Sequence, residues 1–178
     1  MPRAGGHAVT DGTVDILTRM TDAELAGLRE RILAEERDLQ FRRFAEPDAW
    51  ALGTLLHDAG VAGGHPIAIS IRVNGSLLFY SALPGATADN ADWLRRKCAV
   101  VDRYHHASLY VGVDFALRGK TFEIDSRLPA ADFAAHGGAF PLILSGTGVV
   151  GTVAVSGLPQ REDHDLVVAA LGRYLGSA

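Results

Sequence analysis

The sequence predicts an α+β protein in which helices pack against a central antiparallel sheet. Two turn signals and one helical periodicity carry this prediction. Asn74-Gly75 and Gly146-Thr147-Gly148 each separate two apolar runs, and residues of these types supply the positive φ angles that tight reversals between paired strands require. Between residues 89 and 104, apolar side chains recur instead at helical spacing. Because the hairpins are separated by helices without a regular strand–helix–strand alternation, we expect an antiparallel sheet flanked by helices.

The elements of the N-terminal half follow from caps and turn residues. Thr21 and Glu24 form the pattern of a capping box, and apolar residues at helical spacing continue that helix to about Arg37. Leu39-Gln40-Phe41 is compatible with a short strand. Pro47-Asp48 then begins a second helix, which Gly60 is expected to end. The first hairpin comprises strands 66–73 and 76–82.

The C-terminal half repeats this organisation. A helix is predicted from its cap at Asp89 to Tyr104, with Arg95, Arg96 and Lys97 on its polar surface. The remaining predicted elements are a helix at 108–117, a short helix at 129–137, strands at 140–145 and 149–155, and a terminal helix at 160–175.

Length and composition limit the protein class. A chain of 178 residues with 48% hydrophobic content can bury a core without disulfides or metals. We expect one domain at residues 21–178, preceded by a flexible segment at residues 1–20. Cys98 is the only cysteine, so no disulfide framework or thiolate zinc site can form within one chain.

Charge and hydropathy exclude two classes of partner. The formal net charge is −4 and the arginines are scattered, which argues against nucleic acid. The sequence has neither the apolar core of a signal peptide nor an apolar run long enough to span a bilayer. We therefore expect a cytoplasmic protein with no membrane association.

The segment that joins the last strand to the last helix is the predicted site. Ser156 and Gly157 lie at this turn, and backbone N–H groups near the helix start could hold a carboxylate, although an ordinary capped turn explains the same residues. Gly146 to Gly151 matches the letters of a dinucleotide fingerprint, but a strand follows it where a helix is needed. Ser156 resembles a nucleophile elbow, but Ala154 occupies a position where that elbow needs glycine.

Two histidines flank this segment in the sequence. His136 precedes Gly137-Gly138, and His164 lies in the first turn of the last helix. Either imidazole could ligate a heme iron, and either could instead make a structural hydrogen bond. Arg96 and Lys97 have the same two interpretations, as a solvated surface or as cations that face an anionic ligand.

Three stretches together form a specific pattern: DNADWLRRK at 89–97, HGGAFPL at 136–142, and GTVAVSGLP at 151–159 with Asp163-His164. At these residues the chain resembles the heme-degrading-domain superfamily, which includes HbpS-like, GlcG-like and PduO C-terminal-domain-like proteins. The resemblance is closest to a cytosolic branch of that superfamily and extends from about residue 21 to residue 175. It implies a profilin-like (GlcG-like) fold and an assembly of dimers into larger rings. It also implies heme binding or degradation, or, from a fungal member of the branch, a role in protein-targeting complexes.

The leading hypothesis is a small-ligand binding protein for heme or a related anionic cofactor, working as a homo-oligomer built from dimers. The alternative is a non-catalytic oligomeric scaffold in which Arg96 and Lys97 form ion pairs across an interface. No complete catalytic constellation is present, so no reaction is assigned, and no cluster of metal ligands is predicted. The expected ligand-binding residues are Arg96, Lys97, His136, Gly137, Gly138, Ser156, Gly157 and His164.

Overall fold

A computed structural model describes residues 14–176, which form seven helices and four strands. In chain order the elements are α1 (Val14–Thr18), α2 (Asp22–Asp38), α3 (Glu46–Gly63), β1 (Ala68–Val73), β2 (Ser76–Ala82), α4 (Ala88–Tyr104), α5 (Ser108–Leu117), α6 (Phe122–Asp125), β3 (Ala139–Leu144), β4 (Gly148–Ser156) and α7 (Gln160–Gly176).

The four strands form one antiparallel sheet in the order β2-β1-β4-β3. Both predicted hairpins are confirmed, since β1 pairs with β2 and β3 pairs with β4. The pairing of β1 with β4 joins the two hairpins, with Ser70 opposite Ala154. The last strand, β4, is therefore an inner strand of the sheet.

Helices cover both faces of the sheet, which confirms the α+β class. On one face, α4 packs Leu94, Cys98 and Val101 against small residues of the strands. On the other face, α3 and α7 pack over larger apolar residues of the strands. The side chains on this second face include Ile69, Ile71, Phe140, Leu142, Val153 and Val155 from the sheet and Leu52, Leu56, Val167 and Leu171 from the helices.

The predicted helix at 129–137 is wrong. Asp132 and Phe133 donate their N–H groups to Pro129 O, which makes a single turn, and the chain then runs on without helical structure. Ala134 N–H donates to Arg96 O of α4 at 3.2 Å, so this segment pairs with a neighbouring helix instead of coiling on itself. The short helix α6, just upstream, was not predicted.

Smaller differences occur at other helix ends. Helix α3 continues three residues past Gly60 to Gly63, and its C-cap, Gly64, takes a left-handed conformation with φ 62°. Gly60 serves packing instead, because a Cβ there would lie 2.4 Å from Leu83 Cδ1. Helix α4 begins at Ala88, with Thr87 rather than Asp89 as the N-cap. The strand considered at 39–41 amounts to one bridge between Phe41 and Leu144.

The segment predicted to be flexible, residues 1–20, is described from residue 14 onward. There the chain forms α1, and Leu17 is buried in the main core. Residues 1–13 lie outside the described part. Within residues 14–176, none of the helices combines the length and apolar character needed to cross a bilayer.

Candidate functional site

An open cleft of about 210 Å³ lies where three segments meet: the start of α4, the loop from β4 to α7, and the chain just before β3. Asn90 ties two of these segments together, because its Nδ2 donates to Ser156 O at 3.4 Å. The residues that line the cleft are Asp89, Asn90, Trp93, Lys97, His136, Ser156, Gly157, Leu158, Gln160 and Asp163.

A buried ion pair forms part of the cleft wall. Lys97 Nζ of α4 lies 2.9 Å from Asp163 Oδ2 of α7, and the two side chains are 4% and 1% exposed. Lys97 Nζ also donates to Val155 O at 3.3 Å. These contacts use two of its three N–H donors. The sequence analysis placed Lys97 on the polar surface of α4, and the structure corrects this, since the side chain passes inward at the end of the sheet.

The carboxylate of Asp163 occupies the anion position at the start of α7. Its Oδ1 accepts the N–H of Leu158 at 3.0 Å. The sequence analysis suggested that backbone N–H groups here could hold an external carboxylate, but the N–H of Leu158 already has an internal one. An acid at this place interacts favourably with the positive end of the helix dipole. Burial raises the pKa of Asp163, and Lys97 and the backbone N–H groups offset only part of that effect.

The glycines around the cleft leave room for the protein's own atoms. A Cβ on Gly137 would lie 2.1 Å from Gln160 O, and one on Gly157 would lie 2.5 Å from Pro66 O. A Cβ on Gly138, whose φ is 121°, would lie 2.4 Å from Val155 O and 2.8 Å from Lys97 Nζ. The space beside Gly137, Gly138 and Gly157, which were expected to bind a ligand, is therefore occupied by atoms of this chain.

His136 is the cleft residue with an unused polar atom. It is 7% exposed and its Nε2 lies 3.2 Å from Glu123 Oε1 of α6. Its hydrogen bond lowers the pKa of Glu123, so the ionised carboxylate accepts from Nε2–H. The other ring nitrogen, Nδ1, is buried and has no hydrogen-bond partner among the described residues.

An aromatic and cationic group lies beside His136. The rings of His136 and Trp93 have centroids 5.1 Å apart in an edge-to-face arrangement. The guanidinium of Arg96 lies 4.0 Å from the Trp93 ring centroid, and its Nε donates to Asp92 Oδ2 at 2.8 Å. Trp93 thus connects the cleft to a cation one turn along α4.

The structure brings together part of the predicted set. Lys97, His136, Ser156 and Gly157 line the cleft. Gly137 and Gly138 lie against the neighbouring backbone, and Arg96 reaches the cleft only through Trp93. His164 is fully buried elsewhere, with Nε2 2.9 Å from Glu35 Oε2 of α2.

Sequence reasoning missed two residues that line the cleft and one that lies behind it. Asp163 and Trp93 were named only as parts of the recognised pattern. Nothing in the sequence indicated a role for Glu123. Its contact with His136 depends on the turn after Pro129, where the sequence analysis predicted a helix. The one signal available for Lys97 and Asp163 was their shared position within the recognised pattern.

The donor groups of the cleft limit what it could hold. Among the described residues no three His, Cys, Asp or Glu side chains gather in a way that could hold a metal ion by themselves. One imidazole nitrogen can ligate the metal of a cofactor that brings its own equatorial ligands. The carboxylate behind His136 is the type of partner that orients such a ligand and raises its basicity.

Comparisons with known proteins agree with this fold. A UPF0303 protein of Streptomyces coelicolor is 50% identical over 157 residues, which cover 88% of this chain and 99% of that protein. The crystal structure of the Ybr137w protein has a TM-score of 0.80 and 28% identity, covering 92% of this chain and 96% of the other. The PduOC:Heme complex has a TM-score of 0.62 and 18% identity, covering 72% and 93%. Its likeness extends to the fold alone.

A family model matches residues 44–172, which include the whole sheet and every residue that lines the cleft. The match and the 50% identical relative together show that the chain belongs to the family described as haem degrading protein HbpS-like.

Proposed function

We propose that this protein binds heme at the cleft, with His136 as the residue that contacts the iron. The observation that carries the proposal is the His136 imidazole, which is nearly buried, lies on the cleft wall, and has Glu123 on one ring nitrogen and no partner for the other within residues 14–176. The family description and the heme complex of a protein with the same fold support the choice of heme.

The residues present fit one edge of such a group. Nδ1 of His136, which is buried in the free chain, would hold the iron after the ring turns toward the cleft, and the face of Trp93 offers an apolar surface beside it. Lys97 retains one N–H donor, and Arg96 provides a cation close to Trp93, so these two are the proposed partners of the heme carboxylates. Heme itself would supply the redox-active metal, and this chain's residues would bind and orient it.

The volume of the cleft points to a second protomer. Pockets that enclose a drug-sized ligand measure about 300–1,000 Å³, whereas this cleft measures about 210 Å³ and is open. We propose a homo-oligomer built from dimers in which a neighbouring protomer covers the exposed part of the ligand. A cytoplasmic location is part of the same proposal, since the single cysteine, Cys98, is free and buried.

The alternative is an oligomeric scaffold in which Arg96 and Lys97 form ion pairs across an interface. The contacts of these two residues do not favour it. Lys97 is already paired with Asp163, and Arg96 is paired with Asp92 in the same chain. Both pairs lie within one chain, so no described contact of either residue favours an interface ion pair over the heme carboxylates, which would share these same cations.

A heme titration tests the proposal. Heme added to the purified protein is expected to give a shifted Soret band that saturates at one equivalent per chain. His136→Ala should abolish that band or move it, because the iron loses its protein nitrogen. His57→Ala is the matched control, since His57 lies on α3 with its side chain 41% exposed.

Circular dichroism and a second variant, His136→Gln, separate loss of ligation from loss of fold. A Soret band that is the same in the wild type, both His136 variants and His57→Ala would exclude His136 as the ligand. No spectral change in the folded wild type would exclude heme.

A further inference from the structure

A second cavity lies on the α4 side of the sheet, away from His136. It measures about 230 Å³ and is formed by β1, the edge strand β2 and one side of α4. The residues that line it are Ser70, Arg72, Leu77, Tyr80, Ala91, Leu94, Arg95 and Cys98. None of these residues lines the first cleft.

The register of the sheet explains why these side chains converge. Side chains two apart on a strand share a face, and so do residues directly opposite on a neighbouring strand. Ser70 lies opposite Tyr80, and an irregularity after Ile71 places Arg72 opposite Leu77. The irregularity keeps both pairs on the face that α4 covers only in part.

A buried hydroxyl with only a weak partner lines this cavity's floor. Ser70 is 5% exposed, and its Oγ makes no regular hydrogen bond among the described residues, its one interaction being with the thiol of Cys98, a weak partner. Burying a hydroxyl in this state costs free energy that an acceptor on a bound molecule would recover. Cys98, 1% exposed, forms the apolar part of the same floor.

The charge at the cavity is cationic. Arg95 is held by Asp92 at 2.9 Å and Asp132 at 3.1 Å, so its charge is already compensated. Arg72 donates to Gly75 O at 3.3 Å and makes no direct ion pair with a carboxylate of residues 14–176, although its charge acts on Asp102, which does not line this cavity. A half-buried guanidinium without a direct carboxylate contact keeps N–H donors that an anion can accept.

The opposite wall is apolar. Leu77 is 57% exposed and Tyr80 is 47% exposed, although both are large hydrophobic side chains. They stand across the cavity from Leu94 of α4, which is buried. The cavity therefore offers one anion-binding end and one apolar end within a volume that suits a small molecule.

We propose that this cavity is a second binding site, for a small monocarboxylic acid with a short apolar body. Its carboxylate is held by Arg72 and the Ser70 hydroxyl, and its body lies between Leu77, Tyr80 and Leu94. The site is independent of heme binding, because it shares no residue with the cleft around His136.

Calorimetric titration with hexanoate tests the site. Hexanol is the control ligand, because it has the same six-carbon chain but no charged carboxylate. Hexanoate is expected to bind at least about tenfold more tightly than hexanol, since a hydrogen bond to a charged group contributes on this scale. Arg72→Gln should remove that preference. Arg103→Gln, an exposed position on α4 that does not line the cavity, makes the same change in net charge and should retain it.

A cavity-filling variant locates the binding event. Ala91→Trp, which fills the cavity, should abolish hexanoate binding in a protein that remains folded. Equal affinity for hexanoate and hexanol, or unchanged binding in Arg72→Gln or Ala91→Trp, would each overturn the proposal. Unchanged hexanoate binding in His136→Ala would show that this result does not depend on the heme cleft.

Discussion

At the scale of single residues, Gly138 determines whether Lys97 can reach Asp163. Lys97 crosses from α4 to α7 past the end of the sheet, through the place where a side chain on residue 138 would stand. The backbone there has φ 121°, which other residues rarely adopt. Both the conformation and the close approach therefore require glycine.

Gly138→Ala is expected to lower the free energy of unfolding by at least about 2 kcal/mol, because backbone strain and overpacking each cost about 1–3 kcal/mol. Gly146→Ala is the matched control, since Gly146 also has a positive φ, 79°, but open space around it. Urea denaturation measures both. Equal losses in the two variants would show that the contact with Val155 and Lys97 has no cost of its own.

The Lys97–Asp163 pair gives a second prediction at this scale. Lys97→Met leaves a carboxylate buried without its cation, which costs about 3–5 kcal/mol. Because burial already raises the pKa of Asp163, the folded carboxyl holds its proton more tightly than the unfolded one. The loss in free energy of unfolding of Lys97→Met should therefore grow as pH rises toward the folded-state pKa of Asp163. The loss should shrink as pH falls toward the unfolded-state pKa of the same carboxyl.

Denaturation of Lys97→Met at pH 5 and pH 8 measures this dependence. The double variant Lys97→Met, Asp163→Asn should lose most of it, because no charge remains to be buried. A pH-independent deficit in the single variant would contradict the assignment of the pair as ionised at neutral pH.

At the scale of elements, α2 holds two other segments through adjacent glutamates. Glu35 pairs with His164 of α7 at 2.9 Å, and Glu36 pairs with His106, between α4 and α5, at 2.7 Å. Burial would raise the pKa of Glu35, but His164 and Arg31 together hold it below its usual value. Successive residues of a helix point about 100° apart, so the two glutamates reach different elements.

The hydrogen bond to Glu36 raises the pKa of His106, which makes this contact pH-dependent. A raised folded-state value means that the stabilisation is complete below the unfolded histidine pKa of about 6.5 and is lost as pH rises through the folded value. The side chain is 38% exposed, so solvent screening limits the effect to about 1 kcal/mol. Urea denaturation should show a larger difference between wild type and His106→Asn at pH 6 than at pH 9. The reverse order would contradict the ion pair.

Local signals in the sequence determine most elements. Asn74-Gly75 and the capping box at Thr21 and Glu24 act within a few residues, and the structure contains both. A helix was wrongly predicted at 129–137 because the alanines, proline and final glycine of this segment are typical of a short helix. Its backbone instead bonds to Arg96 O of α4, and no local pattern contains that distant acceptor.

The candidate site was less predictable than the fold. His136 and Lys97 were chosen from the sequence, but their partners, Glu123 and Asp163, come from other elements. Gly137, Gly138 and Gly157 were expected to bind a ligand. Sequence alone could not show that atoms of the same chain occupy the space beside them.

At the scale of the whole molecule, the cleft lies open at the surface of the single chain. Its volume of about 210 Å³ is small for heme, so we propose that ligand binding is coupled to assembly. The family match and the buried imidazole support the ligand, and the open cleft supports a covering protomer. These two parts of the claim can be measured in one experiment.

Sedimentation velocity of the heme-loaded protein, recorded both at 280 nm and in the Soret region, is the most direct test. We expect both signals to move together at a mass that is an even multiple of 18.9 kDa, and the Soret signal to leave that boundary in folded His136→Ala but not in His57→Ala. A boundary at the mass of a single chain, or heme that sediments equally with the His136→Ala variant, would contradict the account.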